Sequence, residues 1–430
     1  MSILSLMPLM VTASGAYFLV RLRFFFFVRP KTCLKMALEN LKGKGAFSSF
    51  ALALAGTLGI GNVVGVAVGI SVGGAGAIFW LMVSSVFSAV IKYCEGALSA
   101  DWGNGKGMIG VIENSFGRAS RPLSKIYGAL ILLLSLVMGG ALQSASIGQC
   151  AYECFKIPSV FSAVFIVLFL AFAVVGGSEK IKKTINIIIP LTTIIYITLC
   201  FCAIFENFNR IGEAVSSIFL SAFKSESVGG GILGFFFSEK IKEGYLRAIL
   251  SNEAGAGTSS IAHSLNPTEN LSSVGIMGML EVIFDTVILC GLTSIALLVS
   301  VEDFSSGSGV MTVLSGIGST LGVLSEYLVF VCIFAFAYST LICWYYYGSF
   351  AYRILFSMNR ALGFAVVFFA SAFFGAMLNA DALIMTSDVV LFLLSALSLS
   401  ALIKNSDRIV FLSENSGIIR TRRKCRERQA

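Results

Sequence analysis

Few residues of this sequence have the types and spacing that catalysis, proton transfer or metal binding requires. Glu281 and Asp285 are four residues apart, so a helix would place both carboxylates on one face, where they could relay protons or balance nearby cations. The single histidine, His263, cannot by itself build a multi-histidine metal site. The ten cysteines include no CxxC pair and are expected to be small buried hydrophobes. The sequence therefore predicts no catalytic residue and no enzymatic cofactor.

The composition is that of a membrane protein. Hydrophobic residues make up 57% of the 430 residues and charged residues 13%, and the mean hydropathy is +0.88. A soluble globule of this size would need more polar surface, whereas runs of about 20 apolar residues cross a bilayer. We predict an all-α membrane protein with about eleven transmembrane helices. The spans lie at residues 3–20, 48–72, 76–100, 126–149, 159–177, 185–205, 229–262, 271–300, 321–348, 361–379 and 383–403.

The basic residues predict the orientation of the chain. The net charge is +8, but Lys and Arg lie mostly in short connectors and in the tail, which indicates the positive-inside pattern and not a nucleic-acid surface. The connector from Arg21 to Lys44 is strongly basic, so we expect it in the cytoplasm and the amino terminus outside. An odd number of spans then places the carboxyl terminus in the cytoplasm of a multi-pass plasma-membrane protein. We expect the basic run of the tail, from Arg420 to Arg428, to be disordered and to contact lipid head groups.

Two spans have residues that are poor choices for a plain lipid-facing helix. The second combines glycines with a polar residue, and the seventh begins with three glycines and then carries five charges. The first set is Gly56, Gly59, Gly61, Asn62 and Gly65; the second is 229–231 with Glu239, Lys240, Lys242, Glu243 and Arg247. Irregular backbone at membrane depth survives where it is buried or lines a cavity, so two broken helices are predicted. A small-residue packing stripe and charges at a displaced helix end remain the alternatives.

The positions of the two breaks predict a repeated architecture. They lie five spans apart, at corresponding places in two five-span halves, which is typical of transporters built from inverted repeats. We assign residues 46–205 to the first repeat and 206–405 to the second. Residues 1–45 form an additional transmembrane helix with its basic connector, and 406–430 form the basic tail.

Several segments, in consistent order over roughly residues 15 to 405, carry a family resemblance. They are 59–67 (GIGNVVGVA), 73–80 (GGAGAIFW), 92–95 (KYCE), 251–257 (SNEAGAG) continuing to 261–263, 284–286 (FDT) and 334–348. These residues resemble the alanine or glycine:cation symporters, whose fold is similar to the leucine-transporter fold. The resemblance implies import of alanine or glycine by symport with a sodium ion through alternating access. A proton-coupled symporter is the alternative, and an intramembrane enzyme or a channel is less favoured.

The same resemblance implies the site residues. The resemblance places substrate binding at the first break and at side chains of three further spans: Gly59, Ile60, Gly61, Asn62, Gln143, Ile241, Thr340 and Trp344. The sodium ion would be bound by the carbonyls of Ala55, Leu58 and Phe336 and the hydroxyls of Ser339 and Thr340. Helix packing is the alternative role for the side chains of Gln143, Ile241 and Trp344, and a bond to their own helix is the alternative for the two hydroxyls. The sequence departs from the family pattern at Ile60, usually Thr, and at Ala75, usually Pro.

Overall fold

The computed structural model describes residues 3–43, 45–223, 238–264, 266, 268, 270–304, 308–358 and 361–419. Every regular element among them is helical, which confirms the predicted all-α class. Seven helices are long and apolar enough to cross a membrane: Ile3–Arg21, Gly76–Trp102, Gly117–Phe155, Gly177–Glu206, Leu271–Ser300, Val323–Phe356 and Ala380–Lys404. There are also five shorter apolar helices among the described residues: Ala46–Thr57, Val64–Gly73, Ser159–Val174, Gly309–Ser319 and Leu362–Gly375. Four of them overlap predicted spans, and Gly309–Ser319 lies between two predicted spans. The total of eleven spans stays a prediction.

The helices follow one another with short connectors. In chain order they are α1 (Met7–Arg21), α2 (Phe25–Val28), α3 (Pro30–Leu41), α4 (Ala46–Thr57), α5 (Val64–Gly73), α6 (Gly76–Trp102), α7 (Met108–Ser115), α8 (Ser120–Leu134), α9 (Gln143–Phe155), α10 (Ser159–Val174), α11 (Gly177–Glu206), α12 (Ile211–Phe223), α13 (Glu239–Asn252), α14 (Ser260–His263), α15 (Leu271–Val282), α16 (Gly291–Ser300), α17 (Gly309–Ser315), α18 (Val323–Phe356), α19 (Leu362–Gly375), α20 (Ala380–Lys404) and α21 (Ser406–Asn415). Two π-helical segments, Ser135–Leu142 and Ile283–Cys290, join α8 to α9 and α15 to α16.

Glycines let the central helices approach closely. A Cβ atom on Gly96 of α6 would lie 3.0 Å from the Cα of Gly275 on α15, and one on Gly244 of α13 would lie 2.5 Å from the Ala77 carbonyl oxygen on α6. Small residues at helix contacts replace the hydrophobic driving force that lipid does not supply. Helix α6 therefore holds α13 and α15, which carry much of the site described below.

The beginning of the tail is a helix, Ser406–Asn415. Arg408 of α21 pairs with both carboxylate oxygens of Asp101, at 2.5 and 2.9 Å, and Asp407 pairs with Arg21. These contacts order a segment whose composition is polar. Residues 420–430, which contain the tail's run of basic residues, lie outside the described part of the chain.

Candidate functional site

The second predicted span is interrupted where its glycines cluster. Helix α4 ends at Thr57, a single 3-10 turn spans Ile60–Asn62, and α5 begins at Val64. Gly59, between them, is required for space, because a Cβ atom there would lie 2.7 Å from the Thr340 hydroxyl oxygen. The predicted break in this span is therefore present in the structure. The negative end of α4 and the positive end of α5 meet at this point.

The second break lies further along the chain than the charges suggested. Glu239–Asn252 is one continuous helix that includes the charged residues, and the backbone unwinds only after it. Glu253, Gly255 and Gly257 have positive φ angles of 54°, 89° and 75°, which glycine adopts readily and glutamate does not. The glycines at 229–231 lie outside the described residues. The informative signal was the 253–257 segment with its two glycines.

The charges of α13 do not break the helix because they are paired. Arg247 donates to Asp388 at 2.5 Å and lies 3.4 Å from Glu243, and Lys242 pairs with Glu239. The expectation that Glu281 or Asp285 balances these cations is therefore wrong for Arg247 and Lys242. Arg247, Glu243 and Asp388 are all buried, and pairing is what makes buried charge tolerable in lipid.

The two breaks are tied together by one carboxylate. Asn62 of the first break donates to both the carbonyl and the carboxylate of Asp285, and Ser251, at the end of α13, donates to the same carboxylate at 2.6 Å. The Thr286 hydroxyl is a third donor to this carboxylate, at 2.9 Å. Asp285 belongs to the π segment that follows α15, so one side chain joins three elements. Sequence reasoning singled out Asp285 but not this role.

Gln143 and Thr340 converge on Gly59. The Gln143 side-chain oxygen accepts a hydrogen bond from the Ile60 amide at 3.3 Å, and its nitrogen donates to the Met138 carbonyl at 3.0 Å, back across the π segment. A Cβ atom on Gly59 would lie 3.2 Å from that oxygen. Trp344, one turn beyond Thr340, packs directly on Gly139 of the same π segment. The structure thus brings residues of the fourth and ninth predicted spans to the first break.

Ile241 does not lie beside the other predicted substrate residues. It lies ten residues before Ser251 on the straight helix α13, which is about 15 Å along the axis. The residue of this helix that faces the break is Leu250: a Cβ atom on Gly61 would lie 3.1 Å from the Leu250 carbonyl oxygen, and one on Gly65 3.3 Å from its side chain. In the sequence, the glycines at 61 and 65 were the available signal for this contact, because glycines mark places where another helix comes close.

The predicted sodium ligands form an oxygen-rich group at the end of α4. The Thr340 hydroxyl lies 2.8 Å from the Ala55 carbonyl and 3.4 Å from the Leu58 carbonyl, so it bridges two helices and does not bond to its own. Ser339 instead donates to the Phe336 carbonyl, at 2.9 Å, within α18. Carbonyl and hydroxyl oxygens beside the negative end of a half-helix suit a small hard cation. The residues present therefore fit sodium.

The site is closed on every side. Asn62, Gln143, Thr340 and Trp344 are each at most 2% exposed, and so are Ile60, Ser251 and Asp285. A solute from either face of the membrane can reach these groups only after helices move. This geometry suits a carrier that closes over its cargo and does not suit a permanently open pore.

Comparison with known proteins identifies the kind of carrier. A family model described as the sodium:alanine symporter family matches residues 1–414. The chain belongs to the sodium:alanine symporter family. The symporter is 27% identical to the sodium/alanine symporter AgcS of Methanococcus maripaludis, over 86% of this chain and 85% of that one. It is 26% identical to the sodium/proton-dependent alanine carrier protein of Bacillus sp. strain PS3, over 86% and 87% of the two chains.

A solved structure supports the fold of the symporter. MhsT in complex with L-phenylalanine superposes with a TM-score of 0.57 at 15% identity, covering 85% of this chain and 98% of that one. The predicted leucine-transporter-like fold and the family resemblance are thereby confirmed. The relatives are transporters, which also confirms that the symporter is not an enzyme. Family membership supports sodium-coupled symport of an amino acid across a membrane.

Proposed function

We propose that the symporter imports a small neutral amino acid, alanine or glycine, together with a sodium ion by alternating access. The observation that carries this proposal is that Gln143 and Thr340 both contact the first break at Gly59. The ends of two helices, an amide side chain and the oxygens that could bind sodium lie next to one another there. One small cargo could contact all of them at once. The name of the Methanococcus relative, a sodium/alanine symporter, agrees with this choice.

The substrate carboxylate would bind at the break itself. Amides from Gly59 to Asn62 precede α5, whose positive end favours an anion. Gln143 would exchange its bond with the Ile60 amide for a bond to the substrate. Trp344 and Leu250 would limit the length of the substrate side chain, and we retain Ile241 only as a residue that could come near in another conformation. Close packing at Gly59 and Gly61 leaves little space beside the break, which favours a small substrate.

A sodium ion would replace the hydrogen bonds that the Thr340 hydroxyl donates to the carbonyls at the end of α4. In the closed structure the Thr340 hydroxyl satisfies the carbonyls of Ala55 and Leu58. A bound ion would be held by these carbonyls with the Thr340 and Ser339 hydroxyls and the Phe336 carbonyl. Ion binding would draw α4 and α18 together, and the membrane potential would add about 2.3 kcal/mol per charge per 100 mV.

We further propose a plasma-membrane location with the amino terminus outside and the tail in the cytoplasm. The basic connector and the tail contact each other: Arg21 pairs with Asp407, and Arg29 donates to the Gly417 and Ile418 carbonyls at 2.9 and 3.2 Å. Both therefore lie at the same face, and their excess of positive charge favours the cytoplasmic side. Labelling of a cysteine placed at Ile3 by an impermeant reagent would test the outer position of the first residues.

The test of transport uses purified protein in liposomes. Radiolabelled alanine should accumulate against its gradient when sodium is high outside, and accumulation should vanish when a sodium ionophore removes the gradient. Uptake driven equally by a proton gradient without sodium would favour the proton-coupled alternative, for which the Bacillus relative's name gives a reason. Unlabelled glycine, serine and D-alanine in competition would establish the preferred cargo.

A matched pair of variants tests the site. Gln143→Ala removes a group that contacts the first break and should reduce uptake at least tenfold, because a buried hydrogen bond to a charged substrate group contributes about 1.5 to 3 kcal/mol. Gln149→Ala removes the same side chain on the same helix, where it contacts Ser308 instead, and should transport normally. Wild-type uptake by Gln143→Ala would remove Gln143 from the site.

A further inference from the structure

A second group of ionisable residues is buried beside the unwound segment that follows α13. It consists of Lys92 and Glu95 on α6, Glu253 at the break, His263 on α14 and Glu281 on α15, and we call it the buried acid cluster. Each of the five is at most 2% exposed. None of them belongs to the substrate or sodium site described above, and the proposed function uses none of them.

One carboxylate of the cluster is fully engaged. Glu281 contacts Lys92 with one oxygen and His263 with the other, each at 3.1 Å. Lys92 also donates to Ser259 at 2.7 Å, which ties it to the segment between the break and α14. These contacts account for both basic groups of the cluster and for the ionised form of Glu281.

Glu95 has no such contacts. Neither of its carboxylate oxygens has a hydrogen-bond partner of normal geometry, although it lies near the amides of Gly255 and Gly257. By contrast, Glu253 accepts a hydrogen bond from Thr258 with one oxygen and lacks a partner only at the other, and both carboxylate oxygens of Asp285 accept hydrogen bonds. An ionised carboxylate without donors is among the most costly groups to bury. Glu95 therefore stands out among the acidic residues at this depth.

The charge balance of the cluster also favours a protonated Glu95. Three ionised carboxylates would face one lysine, leaving an excess of two negative charges. Each uncompensated buried charge costs several kcal/mol. If Glu95 is protonated, Glu253 and Glu281 face Lys92, and the excess falls to one negative charge. The other titratable groups facing the cluster are Asp285 on the π segment, Tyr127 on α8, Cys94 on α6, and Cys343 and Tyr347 on α18.

We propose that Glu95 is a proton-binding site that holds one proton in the closed conformation and releases it when the unwound segment moves away from α6. Glu95 lies beside Gly255 and Gly257, so motion of this segment would admit water to its carboxylate. The step transfers only a proton between Glu95 and water, and no other bond changes. Closing of the transporter is then linked to proton uptake, whichever amino acid it carries, so the inference goes beyond the proposed function.

The primary test measures thermal unfolding of the purified full-length protein in detergent, without substrate and at fixed sodium, from about pH 6 to about pH 9. The folded protein would hold a proton that the unfolded chain has lost, so the unfolding midpoint should fall as pH rises. Glu95→Gln keeps the shape of the protonated acid and should remove this slope. Glu113→Gln, which alters a partly exposed pair with Lys106, should retain it.

Three results would overturn the proposal. The slope could persist in Glu95→Gln, it could disappear in Asp285→Asn instead, or it could vanish when sodium is raised, which would indicate a cation in place of a proton. Should Glu95→Gln not fold, infrared spectra of the wild type at neutral pH decide, because they must show a protonated carboxyl band that is lost on raising the pH. None of these readings needs transport, so they fail or succeed independently of the proposed function.

Discussion

At the scale of single residues, the site depends on glycines, whose lack of a side chain lets other groups come close. Gly59 brings Thr340 and Gln143 against the backbone, and Gly139 admits Trp344. These contacts explain why a polar group and a large aromatic group can share so small a volume. Ile60, where the family pattern has Thr, is compatible with the site because its backbone amide donates the hydrogen bond to Gln143.

Gly59→Ala should weaken sodium binding. The added methyl group would lie 2.7 Å from the Thr340 hydroxyl oxygen, and Thr340 would have to leave the Ala55 and Leu58 carbonyls. We expect the sodium concentration for half-maximal uptake to rise at least tenfold, equivalent to about 1.4 kcal/mol.

The sodium dependence of alanine uptake in liposomes measures this change. Gly212→Ala is the control, since a Cβ atom there meets nothing within 4 Å. Equal sodium dependence in both variants would show that Gly59 is not a spacer for the ion site.

At the scale of elements, sequence reasoning succeeded where glycine and polarity coincide and failed where charge was the only signal. The break between α4 and α5 was predictable because Gly59, Gly61 and Asn62 all oppose a buried helix. The charges of α13 were misleading, because Arg247 finds Asp388 some 140 residues away, and no local pattern reveals such a partner. The two π segments were equally hidden, since their composition is that of ordinary apolar helix.

Gly69→Val should separate α5 from α13. A Cβ atom on Gly69 would lie 2.6 Å from Cγ of Arg247, whose position is fixed by its ion pairs. Overpacking of this kind typically costs about 1 to 3 kcal/mol, so the thermal midpoint in detergent should fall.

Gly212→Val makes the same exchange on α12 in open space and controls for the lower helix propensity of valine. Equal midpoints for the two valine variants would contradict a close α5–α13 contact at this position.

At the scale of the whole molecule, the buried pair of Arg247 and Asp388 joins α13 to α20 on the side of the breaks that we assign to the outside. In the proposed orientation the pair would help to close the outer half of the molecule, while the cluster around Glu95 adjoins the other half. Alternating access would require the two regions to open in turn. The fold could be predicted from the family resemblance, but the partners that hold each half closed could only be found in three dimensions.

Asp388→Asn should favour opening toward the outside. It leaves the Arg247 charge without its closest acceptor, and removing one partner of a buried pair costs about 3 to 5 kcal/mol. A cysteine placed at Ile70, which is 3% exposed on α5, should therefore react faster with an impermeant maleimide added outside.

Asp407→Asn breaks the exposed pair with Arg21 at the opposite face and should leave the labelling rate unchanged. Identical rates in the two variants would mean that the Arg247–Asp388 pair does not control access.

The π segments also change how residues of this protein should be matched to those of its relatives. A π turn holds one residue more than an α turn, and each residue of an α-helix turns by about 100°. Gln143 and Gly291 stand immediately after such segments. A template that continues a regular α-helix through either segment would rotate the following residues to the wrong face. A gap of one residue in an alignment of these helices can therefore mark the presence or absence of the π segment.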